Sequence, residues 1–463
     1  MSDSKGLLKR TLIYAIGNFG SKLLAFLIVP IYSYFILPDD LGYYDLVITT
    51  VSIIVPFISF QLSDGAYRWL SNADEDSKNK ILSSSCFLTG IGLLIGFIGY
   101  LLSLIFIQIR YPLIIGGYTF CMVVYPLLQQ FTRGLGRSSL YAFTGVLYTA
   151  CFFVVTCLGL IVFNADFSIL FLAHIIAVIV CVSVLIAKQK ELRAGLFGFV
   201  NFSVAKDLLS YSLPLIPNTV CWWLINSANK YVLLAVLGTA ANGIFSMSNK
   251  FAQILVMLTN IFYLAWQDTA LHEFESENRN EYFSNVFEKY YSLLFLASAV
   301  LVPLSKLMMQ HLLSSDYSNA WRYVGFLYIG ASFSALCSFL GLGYQISKET
   351  SRSLLSTFAS LAVNVLLNIA LAPIVGIQSA SIASALSFAL LFLIRVFHTK
   401  RYFSLKVNWH KFNCYVMLAV AASVIVLTDS LIIDLILLLF SVILFVLGNS
   451  YLFNQVKDGI IKR

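Results

Sequence analysis

Fourteen long apolar stretches fill almost all of the 463-residue chain. A helix that crosses a bilayer needs roughly 20 apolar residues, because each adds about 1.5 Å of rise against a hydrocarbon core about 30 Å thick. Hydrophobic residues make up 59% of the chain and charged residues 11%, whereas a soluble domain carries roughly a quarter charged residues. The sequence therefore predicts an all-α membrane protein of about 14 transmembrane helices, with no length left for a separate soluble domain. Spans are expected near 11–37, 44–67, 81–107, 111–131, 140–163, 168–187, 208–237, 240–265, 286–310, 323–346, 353–373, 377–397, 411–428 and 431–452. Turn-forming residues mark several joints, such as Pro38-Asp39-Asp40 and Gly238. The first apolar run, Thr11 to Leu37, exceeds a signal-peptide core and is expected to stay as a spanning helix.

Charge placement fixes the expected orientation. With the N-terminus inside, 24 of the 30 lysines and arginines fall in segments on the inner side, including Lys78, Lys188, Arg279 and the group Arg395, Lys400 and Arg401. Only Arg110, Arg322 and Lys306 fall toward the outer side. This asymmetry predicts a multi-pass membrane protein with both termini cytoplasmic. The net charge of +8 is spread over alternate short loops, which fits orientation and argues against a nucleic-acid partner. The eight cysteines lie in or beside apolar runs, with no CxxC pair and no Cys/His spacing suited to zinc, so no metal or other cofactor is expected.

Two weak internal echoes accompany this pattern. Ile36-Leu37-Pro38 followed by Gly42-Tyr43-Tyr44 resembles Val236-Leu237-Gly238 followed by Gly243-Ile244-Phe245. Gly134-Leu135-Gly136 resembles Gly341-Leu342-Gly343. Spans 1–6 and 7–12 both begin inside, the arrangement of a parallel repeat about an axis along the membrane normal. The expected organisation is a six-helix lobe over 1–200, a second over 201–400, and two further helices over 401–463, with a cargo path between the lobes.

Three lysines, Lys22, Lys230 and Lys250, sit deep within spans. Each costs about 2.5–3.5 kcal/mol on insertion scales, so all three are expected to face a hydrated cavity. Asn18 follows the helical spacing of Lys22, while Asn226 and Asn229 accompany Lys230, and Asn249 and Gln253 accompany Lys250. Thr357, Ser360, Asn364 and Asn368 share a face of the eleventh span. Such amides serve either as cavity lining or as stitches between helices. No carboxylate is equally deep, so the cavity suits a phosphate or pyrophosphate. Trp222, Trp223 and Tyr231 suit either sugar stacking or packing. Asp64 and Arg68, one helical turn apart, are candidates for a local ion pair or an inner gate, and His174 for a packed hydrogen-bonding residue.

Taken in order, Gly17-Asn18, Lys22, Pro30, Tyr32, Pro38, Gly42 and Tyr44, then Pro214-Leu215-Ile216-Pro217, Trp223, Asn226, Gly243-Ile244-Phe245-Ser246, Lys250 and Ala265-Trp266, form a pattern with Asn364, Asn368, Pro373 and Gly376-Ile377. This pattern resembles the Wzx-type polysaccharide (O-antigen) flippases of the multidrug/oligosaccharidyl-lipid/polysaccharide (MOP) exporter superfamily. Relatives often carry an Asp-Arg pair where this chain has Asn229-Lys230. The resemblance implies a non-enzymatic flippase that turns an undecaprenyl-pyrophosphate-linked oligosaccharide from the cytoplasmic to the periplasmic leaflet. Its implied partners are that lipid-linked oligosaccharide, membrane lipids, a polysaccharide polymerase and a chain-length regulator. A lipid II flippase of the same superfamily is the alternative, and a membrane polysaccharide polymerase or ligase is a further one. Drug export calls for deep carboxylates, and a polymerase calls for a long outer loop; the sequence has neither.

Overall fold

The computed structural model describes residue 24 and residues 26–450 apart from 71–72, 197, 274–275 and 347–349. Within helices, the side chains of 75–76, 196, 218, 222, 225–226, 264–265, 268, 271–272, 345–346 and 350–351 are also left out. Among the described residues there are helices and no strands. In order they are α1 (Phe26–Phe35), α2 (Pro38–Ile58), α3 (Leu62–Leu70), α4 (Glu75–Phe106), α5 (Pro112–Gly134), α6 (Ser138–Cys157), α7 (Ile169–Lys188) and α8 (Lys190–Leu196). They continue with α9 (Phe202–Ser212), α10 (Ile216–Leu237), α11 (Thr239–Glu273), α12 (Arg279–Leu312), α13 (Val324–Ile346), α14 (Thr350–Val375), α15 (Gln378–Thr399), α16 (Trp409–Ile425) and α17 (Leu431–Gly448).

Eleven segments among the described residues are long and apolar enough to cross a membrane, and Phe26–Phe35 and Ser227–Leu237 are shorter apolar helices. Two expected spans are each divided. The span expected at 44–67 ends at Ile58: Pro56 lies inside α2 and removes a helical donor, and Phe60 and Gln61 then turn left-handed at φ 51° and 54°. The chain restarts as the short α3. The span expected at 208–237 is split by Pro214 into α9, a 3₁₀ turn at Leu213–Leu215, and α10.

The chain divides into two compact units: Met1–Ile36 with Tyr43–Asn226, and Leu37–Gly42 with Ser227–Arg463. The boundary between Asn226 and Ser227 falls inside α10, and α16 and α17 belong to the second unit. In the first unit, Leu62, Leu70, Leu82, Leu128, Phe131, Leu185 and Leu208 bury together from α3, α4, α5, α7 and α9. At one end Arg137 donates to both oxygens of Glu191 (2.6 and 2.8 Å) and to the Lys188 carbonyl, docking α8. The Glu191 carboxyl is held below its ordinary value, first by its own backbone N–H and then by Arg137, which together outweigh partial burial.

The second unit has an aromatic core. Phe283, Phe287, Tyr291 and Phe295 recur every fourth residue along one face of α12; Phe283 packs on Phe403, and the other three meet Phe339 and Phe333 of α13, Phe392 of α15 and Phe412 of α16. Such ring pairs contribute about 0.5–1.5 kcal/mol each beyond their buried area. The segment containing α13 has 83% of its most apolar window buried, against 11% for α17, so α13 is the centre of this unit and α17 its lipid-facing wall.

The start of α2 packs on the start of α11 through a reciprocal contact. A Cβ on Gly42 would stand 1.9 Å from the Thr239 carbonyl oxygen, and a Cβ on Gly243 would stand 1.8 Å from that of Pro38. The Asn242 amide donates to the Gly42 carbonyl (3.1 Å), and the Thr239 hydroxyl donates to Asp39. These two stretches are the ones that echo each other in sequence.

Candidate functional site

In the second unit, α10 and α11 carry the deep lysines. Gly238 joins them at φ 86°, a left-handed turn that suits glycine. Lys230, Asn249 and Lys250 are half-buried, and Gln253 is exposed. Asn229 is placed differently. It is 7% exposed; its amide donates to the Ser384 hydroxyl (2.7 Å) and its carbonyl accepts from Asn368 (3.1 Å). Asn368 in turn accepts from Ser379 (2.7 Å), and Asn364 donates to Ser387 (3.2 Å). Thr357, Ser360, Asn364 and Asn368 are all buried. Here the amides act as stitches joining α10, α14 and α15, each worth about 0.6 kcal/mol in a membrane. Lys230, one residue on, is turned roughly 100° away around the helix. The signal missed in the sequence is the run Ser379, Ser381, Ser384 and Ser387 on α15, all of them buried.

Two buried cations also differ from the sequence reading. Lys306, assigned there to the outer side, is 1% exposed and pairs with Asp434 at 2.8 Å and Asp429 at 3.3 Å. It also donates to the Val426 carbonyl (2.9 Å) and lies 4.2 Å from the centre of the Trp321 ring. It thus anchors the α16–α17 hairpin to α12. Arg395, counted as an inner loop cation, lies inside α15 at 4% exposure because that helix runs on to Thr399. Its guanidinium donates to the Cys337 carbonyl (2.6 Å) and the Thr357 hydroxyl (3.1 Å). Gly341 makes room for it, since a Cβ there would stand 2.8 Å from Nη1.

In the first unit, Asn18 and Lys22 lie outside the described residues, and so does the Asn226 side chain. Asp64 accepts from Gln61 (2.7 Å), whereas Arg68 donates to the Tyr211 hydroxyl (2.7 Å) and stacks over its ring. Asp64 and Arg68 thus each hold a different polar partner. The indole N–H of Trp223 reaches the Thr49 carbonyl and the Ser52 hydroxyl, both at 2.9 Å, and so holds α10 to α2. His174 is packed as its lone position predicts. Its ring nitrogens meet the Tyr44 hydroxyl (2.8 Å) and the Tyr148 hydroxyl (2.6 Å), and the ring stacks on Phe152 at 4.1 Å.

Buried amide stitches and two buried cations thus lie on helices long and apolar enough to cross a membrane, and the half-buried Lys230 lies on a shorter apolar helix. Comparison with known proteins agrees. Among solved structures, the lipid II flippase MurJ in an inward closed conformation matches with a TM-score of 0.71 at 14% identity, covering 96% of this chain and 99% of that one. An inward-facing multidrug resistance MATE transporter of the MOP superfamily matches with a TM-score of 0.65 at 13% identity, covering 82% and 95%. A Vibrio cholerae MATE transporter, VcmN, matches at 0.55 and 15% identity, covering 87% and 99%. No curated protein matches in sequence. The family described as polysaccharide biosynthesis protein matches residues 7–267. The chain therefore belongs to the polysaccharide biosynthesis protein family and has the fold shared by flippases and transporters of the MOP superfamily.

Proposed function

We propose that this protein is a flippase that moves an undecaprenyl-pyrophosphate-linked oligosaccharide, an O-antigen or related lipopolysaccharide repeat unit, from the cytoplasmic to the periplasmic leaflet of a bacterial inner membrane. Transport proceeds by alternating access through a cationic cavity lined by Lys22, Lys230 and Lys250, with Asn18, Asn226, Asn249 and Gln253 beside them. Asn229 supports this lining from behind. The observation that carries the reading is the half-burial of Lys230 and Lys250 in a member of the polysaccharide biosynthesis family. Ammonium groups kept at that depth suit a pyrophosphate head. An inside-negative potential helps an anionic head outward by about 2.3 kcal/mol per charge per 100 mV. The match to MurJ favours a second reading, in which the cargo is lipid II.

Complementation separates the two. The protein should restore surface polysaccharide to an O-antigen flippase-deficient strain and fail to rescue a strain depleted of its lipid II flippase; the opposite result sinks the first reading. A charge-assisted hydrogen bond contributes about 1.5–3 kcal/mol. Lys22→Ala, Lys230→Ala and Lys250→Ala should therefore each lower surface polysaccharide about ten- to a hundred-fold at equal membrane levels. Wild-type export by all three variants ends the cationic-cavity proposal.

A further inference from the structure

The chain between α7 and α10 leaves two aromatic rings bare. Phe199 is 98% exposed, and Phe202, the first residue of α9, is 73% exposed. Their backbone is nevertheless pinned to α4. The Ser83 hydroxyl meets the Phe199 carbonyl (2.9 Å), the Ser84 hydroxyl meets the Asn201 carbonyl (3.1 Å), and the Asn201 N–H donates back to Ser84 (3.2 Å). Two glycines allow the approach: a Cβ on Gly195 would stand 2.5 Å from that of Leu82, and one on Gly198 would stand 3.3 Å from that of Ser83. The Phe202 ring packs edge-on against Phe87, with centroids 5.9 Å apart.

The α4 helix supplies a depth scale. Its membrane-crossing segment Ser77–Phe106 has 30 residues, or about 45 Å of helix, close to the roughly 40–45 Å of a bilayer with its headgroups. Only 17% of its most apolar window is buried, so lipid surrounds much of this helix. A hydrocarbon core of about 30 Å leaves roughly 7 Å of headgroup region at each end. Ser83 lies about 9 Å from the start of the segment and Phe87 about 15 Å. Phe199 and Phe202, held at those two levels, therefore stand at the edge of the hydrocarbon.

The α9 helix continues the pattern. Ala205, Leu208 and Ser212 are buried, whereas Phe202, Lys206 and Leu213 are exposed and fall within about 40° of one another around the axis. The exposed Asp207 lies about 100° further round. Lys80, one turn before Ser84 on α4, is exposed as well. Lysine stems lie along apolar surface while their ammonium groups reach the polar layer. The charge count places this end of α4 at the inner surface.

We infer that Phe199 and Phe202 form an interfacial anchor, inserted among the acyl chains of inner-leaflet phospholipids with Lys80 and Lys206 at the phosphates. The anchor ties the first unit to the bilayer at the segment that leads through Leu213–Leu215 into α10. The depth of the rings favours lipid over a soluble protein as their cover. The inference rests on the membrane reading of the chain and holds whatever the cargo.

Tryptophan placed at either ring reports its surroundings. The full-length protein is held in nanodiscs of phosphatidylethanolamine and phosphatidylglycerol. There, the emission that Phe199→Trp or Phe202→Trp adds to wild type should be lost when the acyl chains are brominated, and should persist in iodide. Bromines near the headgroup should quench it more than bromines at the chain ends. Asp207→Trp, on the polar side of α9, should show the reverse response to the two quenchers. Loss of the added emission to iodide would mean that the rings face water, and protection from both quenchers would mean that protein covers them. Either result overturns the inference.

Discussion

Lys306 and Asp434 show how much of this protein rests on single side chains. Each is the one charged residue in a long apolar stretch of its helix, and both are 1% exposed in the fold. Removing one partner of such a pair leaves an uncompensated buried charge and costs about 3–5 kcal/mol, whereas replacing both with apolar residues is often neutral or stabilising. Lys306→Met removes the ammonium that both Asp434 and Asp429 meet, whereas Asp434→Leu leaves Lys306 its Asp429 contact at 3.3 Å. Lys306→Met should therefore lower the melting temperature in detergent more than Asp434→Leu, and the double variant should melt above Lys306→Met. A double variant no better than the worse single one would mean the pair is not what ties α17 to α12. Hydropathy does not reveal the pairing: Lys306 lies six residues before the end of α12 and Asp434 in the first turn of α17, and the fold brings those two ends together. Arg395 was harder to place. Its burial depends on α15 running to Thr399 and on Gly341 across from it, neither of which hydropathy reveals.

At the scale of elements, hydropathy located the helices well because bilayer thickness sets their length. Internal breaks were harder to see. Pro56 and Pro214 were visible, but the turn at Phe60 and Gln61 uses two residues with no marked preference for left-handed backbone. The Gly42–Gly243 contact is the sharpest test at this scale. Either position changed to alanine drives a methyl against a carbonyl oxygen and should cost about 1–3 kcal/mol, as overpacking does. Gly90→Ala, with nothing within 4 Å of the added methyl, should be neutral or slightly stabilising. Melting curves for the three variants decide it: equal midpoints would deny the contact.

For the whole molecule, the charge asymmetry predicts both termini in the cytoplasm. Alkaline phosphatase fused after Asp166 should be active and a fluorescent protein fused after Lys400 should glow; the reverse pattern would invert the orientation. Burial of Lys306 and Arg395 removes one cation from each side of that count, so the asymmetry stands. The family was legible from ordered short motifs, since proline, glycine and tryptophan mark turns and close approaches that a fold keeps. The proposed lining was less legible, because an asparagine that bridges helices and one that meets water follow the same helical spacing; for Asn229 it is the buried Ser384 of α15 that shows the bridge.

The mutual fit of Gly42 and Gly243 has a consequence for building hybrids. Since each backbone occupies the room a neighbouring methyl would take, α2 and α11 must be inherited together. A chimera that draws these helices from two different relatives should assemble only where both donors leave the same two positions bare.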